Sequence, residues 1–217
     1  MSLTLAYDLM IATGETVYMV LASTVLAVLL GLPLGTLLFT SAHVKPHPLV
    51  HRLIASVINI SRSIPFIILL VAIIPLTRLL VGTSIGINAA IVPLTLGAAP
   101  FFARLVDNVY KSLPSGLIEA GFAMGANTGQ MVRHILLPEA RPAMIHAITV
   151  TAITLVNYSA MAGTVGGGGL GDLAIRYGYQ RFNPIIMLAT VAILVLIVQG
   201  LQMGGDRLAR HFSRGDC

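Results

Sequence analysis

Four patterns in the chain spell reactive chemistry, and each asks for a partner. Gly82-Thr83-Ser84-Ile85-Gly86 has the G-x-S-x-G spacing of a hydrolase nucleophile elbow. A serine there needs a histidine base, yet His146, the only histidine in an apolar run, enters from the opposite membrane face, about 20 Å or more away across a bilayer. The segment reads as a turn, and an intramembrane protease lacks its dyad. Gly166-x-Gly168-x-x-Gly171 matches a dinucleotide fingerprint in spacing alone, because no strand precedes it and no acidic residue follows at about 20 positions. Its glycines read as the outer end of a span, where backbone moves or packs closely. His43, His47 and His51 recur every four residues, as metal ligands on a helix would, but Pro46 and Pro48 break that helix. A solvated loop with no metal is expected. Cys217 is the single cysteine and has no partner for a disulfide. The P-loop pattern G-x-x-x-x-G-K-[ST] is absent, so the chain is not expected to be an enzyme that hydrolyses ATP at such a site.

Composition says what must position these residues. Hydrophobic residues make up 56% of the 217 and charged residues only 10%, against about 25% charged in a soluble domain. This is the composition of an all-α membrane protein. The net charge of +5 fits cytoplasmic loops that face anionic lipid, and no aromatic-interleaved basic patch points to nucleic acid. The N-terminus has neither the basic start nor the small-residue cleavage site of a secretory signal and is read as mature sequence. Runs long enough to cross a bilayer lie near 16–40, 63–81, 86–106, 142–165 and 184–204. Five transmembrane helices follow. Starting the second at Ser63 lets Arg62 snorkel to the surface and puts Pro65 in the first turn.

Charge then sets direction. Lys45, Arg52, Arg62, Arg104, Lys111, Arg133, Arg141, Arg207, Arg210 and Arg214 fall on one side, ten cations against the three of Arg78, Arg176 and Arg181 on the other. The N-terminus is therefore expected outside and the C-terminus in the cytoplasm. The longest connection, about 112–141, becomes cytoplasmic, and a loop of that length is functional or structured. Gly116 is expected to cap a first helix whose first turn holds Glu119, with Asn127 as its stop. A second runs from an N-cap at Thr128 to Leu137 and ends at Pro138. Leu117, Ala120, Gly121 and Met124 give the first helix a face of small and apolar residues that another surface can approach closely. No Lys or Arg lies between Lys111 and Arg133, which disfavours a helix lying on lipid headgroups.

The run "EAGFAMGANTGQMVRHILLP" resembles the cytoplasmic signature of permease subunits of ATP-binding cassette (ABC) importers: Glu-Ala-Ala, three residues, Gly, nine residues, Ile, one residue, Leu-Pro. Glu119, Ala120, Gly125, Ile135, Leu137 and Pro138 fall on it in register, and Gly121 replaces the second alanine. Residues 62–109 and 157–182 further resemble the permease of methionine importers within that family. The resemblance implies a type I importer permease fold formed by one domain over 1–217, in a bacterial inner membrane. It implies a homodimer, two ATPase subunits that bind ATP and Mg, an external substrate-binding protein, and methionine as solute. Glu119, Ala120, Gly121, Gly125, Ile135, Leu137 and Pro138 would couple to the ATPase through the loop at 116–138.

Polar residues within spans face a cavity or another helix. Asn157, Tyr158 and Ser159 cluster in the outer half of the fourth span, followed by Met161. Helix packing and a translocation path both fit the cluster, and the resemblance assigns Asn157, Tyr158, Ser159 and Met161 to the path or its outer gate. Gln199 and Gln202 either face the centre or join two subunits. A permease for another small polar solute remains the nearest rival. An ion-coupled carrier or channel, which would need no ATPase, is the rival from another class.

Overall fold

The computed structural model describes residues 3–213; Arg214 and Cys217 lie outside them. The described chain is helical and contains no strand. Its first element, α1 (Leu3–His43), runs 41 residues, about 60 Å at 1.5 Å per residue, twice the roughly 30 Å hydrocarbon thickness. The apolar run at 16–40 is only its central part.

The second span is where sequence and structure part. α2 (Pro48–Ser63) is a separate amphipathic helix, and α3 (Phe66–Ala72) leaves it at a bend of 100°. Pro65 is the N-cap of α3 and not a residue of its first turn. α4 (Ile74–Val81) follows after a second break at Ile73, with Pro75 in its opening turn. Prolines at helix starts remove only N–H groups that lack a helical partner anyway, so the segment folds as three short helices. Four other helices are long and apolar enough to cross a membrane, and the bent α2–α3 pair makes up to five. Arg62, in the last turn of α2, is exposed. Its guanidinium lies over the Phe101 ring, 6.0 Å from the centroid, which is ten residues or about 15 Å along the next helix from Lys111.

That helix, α5 (Ile87–Lys111), is the core of the protein. α1 packs along it through Gly31 and Gly35. A Cβ on Gly31 would come within 2.7 Å of the Ala99 carbonyl oxygen, and one on Gly35 would collide with the Ala103 carbonyl and Val106. G-x-x-x-G spacing opposite Ala99 and Ala103 brings two backbones together where lipid offers no competing hydrophobic drive. α9 (Arg141–Gly163) packs on α1, α5 and α11 (Pro184–Ser213). Of α11, only Ile186, Thr190 and Ala209 are buried. Its Leu188, Val195 and Leu196, with Leu21, Val25 and Leu29 of α1, are exposed apolar side chains of the kind that face lipid.

One core cluster joins Met19, Phe66, Leu94, Ala98 and Leu155 in the membrane part. A second joins Phe39, Phe102, Val106 and Tyr110 to Met131 and Leu136. The connection between α5 and α9 is thus bolted to the spans. α6 (Ser115–Ala123), α7 (Thr128–Gln130), a π-helical turn at Met131–Leu136 and α8 (Leu137–Glu139) make up this connection. Pro138 does not end it. The wider π turn precedes the proline, Leu136, Leu137 and Ala140 all keep right-handed helical dihedrals, and the chain passes directly into α9. Opposite this end, Gly163 leads through a glycine-rich turn to α10 (Gly169–Leu173), which continues into a second π turn at Ala174–Tyr179.

Candidate coupling loop and translocation path

The connection begins at a buried carboxylate held by two cations. Asp107 is fully buried near the end of α5 and accepts from Arg104 Nη1 at 3.1 Å and Lys111 Nζ at 2.8 Å. These two cations, assigned by sequence to a loop, belong to the last turns of a helix. α6 then starts two residues earlier than expected, with Pro114 as N-cap and Gly116 inside it, and no acidic residue lies in its first turn. Glu119 sits further along, exposed to solvent.

The end of α6 is a Schellman motif. Ala126 N donates to the Gly121 carbonyl at 3.0 Å, Gly125 N donates to the Phe122 carbonyl at 2.9 Å, and Gly125 has φ +74°. That left-handed conformation favours glycine. Gly125, not Asn127, is therefore the stop. Asn127 instead caps the next helix: its side chain accepts from Gln130 N at 2.9 Å while Gln130 Oε1 accepts from Asn127 N at 2.9 Å. This reciprocal box takes the role expected of Thr128, which is the first helical residue.

The surfaces of α6 divide differently from the expectation. Gly121 is buried, and a Cβ there would meet Met131 Sδ at 2.7 Å and Ile135 Cδ1 at 2.8 Å. It seats α6 on the segment that follows and is not part of an outward docking face. Ile135, Leu137 and Pro138 are half-buried on the same internal side. The outward side carries Glu119, Ala120, Phe122, Met124 and Gly125, with Met124 74% exposed. Phe122 escaped the sequence reading, although an aromatic residue inside a connecting helix without flanking cations is the signal that marks it.

The outer-half residues of α9 also separate. Asn157 and Met161 are exposed, and with His146, Val150 and Thr164 they share one face at helical spacing. Ser159 is buried on another side and donates to the Val156 carbonyl of its own helix at 2.8 Å. Tyr158 is half-buried, its ring stacked on Phe66 with centroids 4.3 Å apart. Lower on α9, His146 Nδ1 lies 3.7 Å from Asp206 Oδ1, which also accepts from Gln202 Nε2 at 2.9 Å. Gln202 thus serves its own helix, while Gln199 is exposed.

The enzyme-like patterns take structural places. Gly82 caps α4 and Gly86 caps α5, and Ser84 accepts from Arg78 Nε at 3.2 Å. Gly86 N donates to the Gly166 carbonyl at 2.9 Å. Gly169 N and Leu170 N donate to Glu15 Oε2 and Thr16 Oγ1 of α1, both at 2.8 Å. The glycine-rich turn is packed, with Gly163 and Gly171 in backbone contact with their neighbours. His51 stands in α2, against the Leu38 carbonyl at 3.2 Å, and His43 stacks on Phe39. The expected solvated histidine loop is thus mostly helix. Among the described residues, no group of three or more His, Cys, Asp or Glu gathers to hold a metal ion.

Residues 27–215 match the family described as binding-protein-dependent transport system inner membrane component. A Vibrio cholerae protein named "Probable D-methionine transport system permease protein MetI" is 51% identical over 206 residues, covering 94% of this chain and 91% of that protein. A Haemophilus influenzae protein of the same name is 50% identical over 201 residues, covering 92% and 94%. Among solved structures, an inward-facing MetNI methionine ABC transporter chain superposes with a TM-score of 0.96 at 48% identity, covering 98% of this chain and 99% of that one. The type I importer permease fold implied by the sequence is the fold observed. With its long apolar helices and a structured loop bolted to them, the chain belongs to the family of binding-protein-dependent transport system inner membrane components.

Proposed function

We propose that the chain is the membrane-spanning subunit of an ATP-driven methionine importer. Two copies form the path, two separate ATPase subunits bind ATP and Mg and drive it, and an external binding protein delivers the solute. The observation that carries this reading is the 98% overlap with a chain of the MetNI transporter, spans and loop together. The relatives named for D-methionine transport support the solute.

In this reading the whole of 1–217 is one transmembrane domain, with its N-terminus outside, its C-terminus in the cytoplasm and its coupling loop at about 112–141. Glu119, Ala120, Phe122, Met124 and Gly125 meet the ATPase. Gly121, Ile135, Leu137 and Pro138 hold the loop in shape and carry its displacement into α9. Asn157 and Met161 face the path, Tyr158 flanks it, and Ser159 supports the helix from behind. The chain itself, lacking a P-loop, performs no hydrolysis.

Reconstituted in liposomes with its ATPase and binding protein, the permease is expected to give ATP-dependent methionine uptake. ATP-driven uptake of a different small solute, with none of methionine, would keep the importer and remove methionine. Uptake that persists without any ATPase subunit would favour the carrier reading and remove both.

A further inference from the structure

The elbow between α2 and α3 encloses a cavity of about 230 Å³ lined by Ser61, Arg62, Ile64, Phe66, Phe101 and Tyr158, with Gly97 at its back. This lies below the roughly 300–1,000 Å³ of sites for drug-sized ligands and suits a solute of amino-acid size. Gly97 and Phe101 are ten and fourteen residues past the start of α5, about 15 and 21 Å along it, so the cavity opens beside the middle of a span. Ionisable side chains at such a place pair with one another or mark a solute pathway. Arg62 forms no ion pair among the described residues. It is exposed, at the mouth of the cavity, with its guanidinium over Phe101.

The other wall is aromatic. Phe66 and Tyr158 stack with their planes 3° apart, and Gly97 allows this, since a Cβ there would press on the Phe66 ring at 3.2 Å. A free cation and paired rings that line one amino-acid-sized space match a zwitterion with a soft side chain. Guanidinium groups bind carboxylates through two parallel hydrogen bonds. Thioether sulfur sits favourably about 5 Å from an aromatic ring.

We infer that this cavity is a way-station in the membrane at which Arg62 binds the carboxylate of the transported amino acid while Phe66, Tyr158 and Phe101 hold its side chain. The inference rests on the methionine reading above, and a site on each protomer would lie off the shared axis. The test is equilibrium binding of radiolabelled methionine to the permease–ATPase complex in nanodiscs of zwitterionic lipid, without binding protein. Saturable binding is expected, competed by unlabelled methionine and not by methioninol, which lacks the carboxylate. Arg62→Gln should weaken binding by about tenfold or more, the cost of removing a charged hydrogen-bond partner, and Arg62→Lys should restore part of it. Co-elution with the ATPase checks assembly; should Arg62→Gln fail to assemble, the methioninol comparison and Arg62→Lys carry the test. Absence of saturable binding, or equal competition by methioninol, overturns the inference. So does a Gln variant that binds methionine normally and, in parallel nanodiscs that contain anionic lipid, loses only that lipid, which would make Arg62 a headgroup contact. Wild-type methionine uptake in liposomes is a separate measurement, and its absence would remove the methionine reading itself.

Discussion

Gly125 links a single dihedral angle to the proposed transport of force. Its left-handed φ of +74° closes α6, and a side chain in that region costs roughly 1–2 kcal/mol. Nothing lies within 4 Å of where its Cβ would be, so the penalty is conformational and not steric. Gly125→Ala should leave the protein inserted and folded but loosen the turn that sets Asn127 and its capping box. We expect methionine uptake several-fold below wild type with more ATP hydrolysed per solute, read from paired uptake and ATPase measurements; unchanged coupling would free this turn from that role. The special nature of Gly125 was legible in part: a glycine after an apolar helical run marks a C-terminus, but Asn127 two residues on offers a stop as well. The inward placement of Gly121 was not. Small residues look alike in sequence whether they receive a partner or their own chain, and only the Met131 and Ile135 side chains decide it.

Among elements, the α1–α5 contact bears the architecture. Gly35 has no room for a methyl group against the Ala103 carbonyl and Val106, and the backbone carbonyl cannot retreat without moving α5. Gly35→Leu is expected to lower the melting temperature of the detergent-purified protein by several degrees or to abolish its accumulation, while Gly200→Leu, at a helix position with open space, should change neither. Equal melting of both variants would mean that the two helices do not depend on this approach. The G-x-x-x-G pair was present in the sequence at 31–35 and announces such a contact. The long helices were legible from apolar length alone. The break of the second span was not: Pro65 is equally at home in the first turn of a continuing helix or just before a new one. The 100° bend comes from packing of α2 on α1 and α5, information that no local window holds. The contact of Arg62 with the Phe101 ring was hidden for the same reason, since it depends on where the elbow sits.

For the whole molecule, the ten-to-three division of cations predicts an orientation that labelling can check. In a background with Cys217→Ser, a cysteine at Thr83, in the exposed turn between α4 and α5, should react with an impermeant thiol reagent applied to intact cells. One at Asn127 should react only after the membrane is opened. Labelling of Asn127 from outside would invert the protein and separate the loop from any cytoplasmic ATPase.

The passage from α8 through Ala140 into α9 without a break also has a mechanical meaning. α9 is a single rod of 23 residues, about 34 Å long, with the loop at one end and Met161 near the other. Stiff rods do not absorb rotation; they transmit it with gain. A tilt of about 5° at the cytoplasmic end would carry the outer end sideways by about 3 Å over that length, on the order of the width of a methyl group. The N-terminal half of α1, through Glu15 and Thr16, grips the backbone just beyond, which supplies a fulcrum on the far side. In the proposed orientation the protein is a lever whose handle is in the cytoplasm and whose jaw is outside, and the stiffness of one uninterrupted helix sets how little motion at the handle opens the jaw.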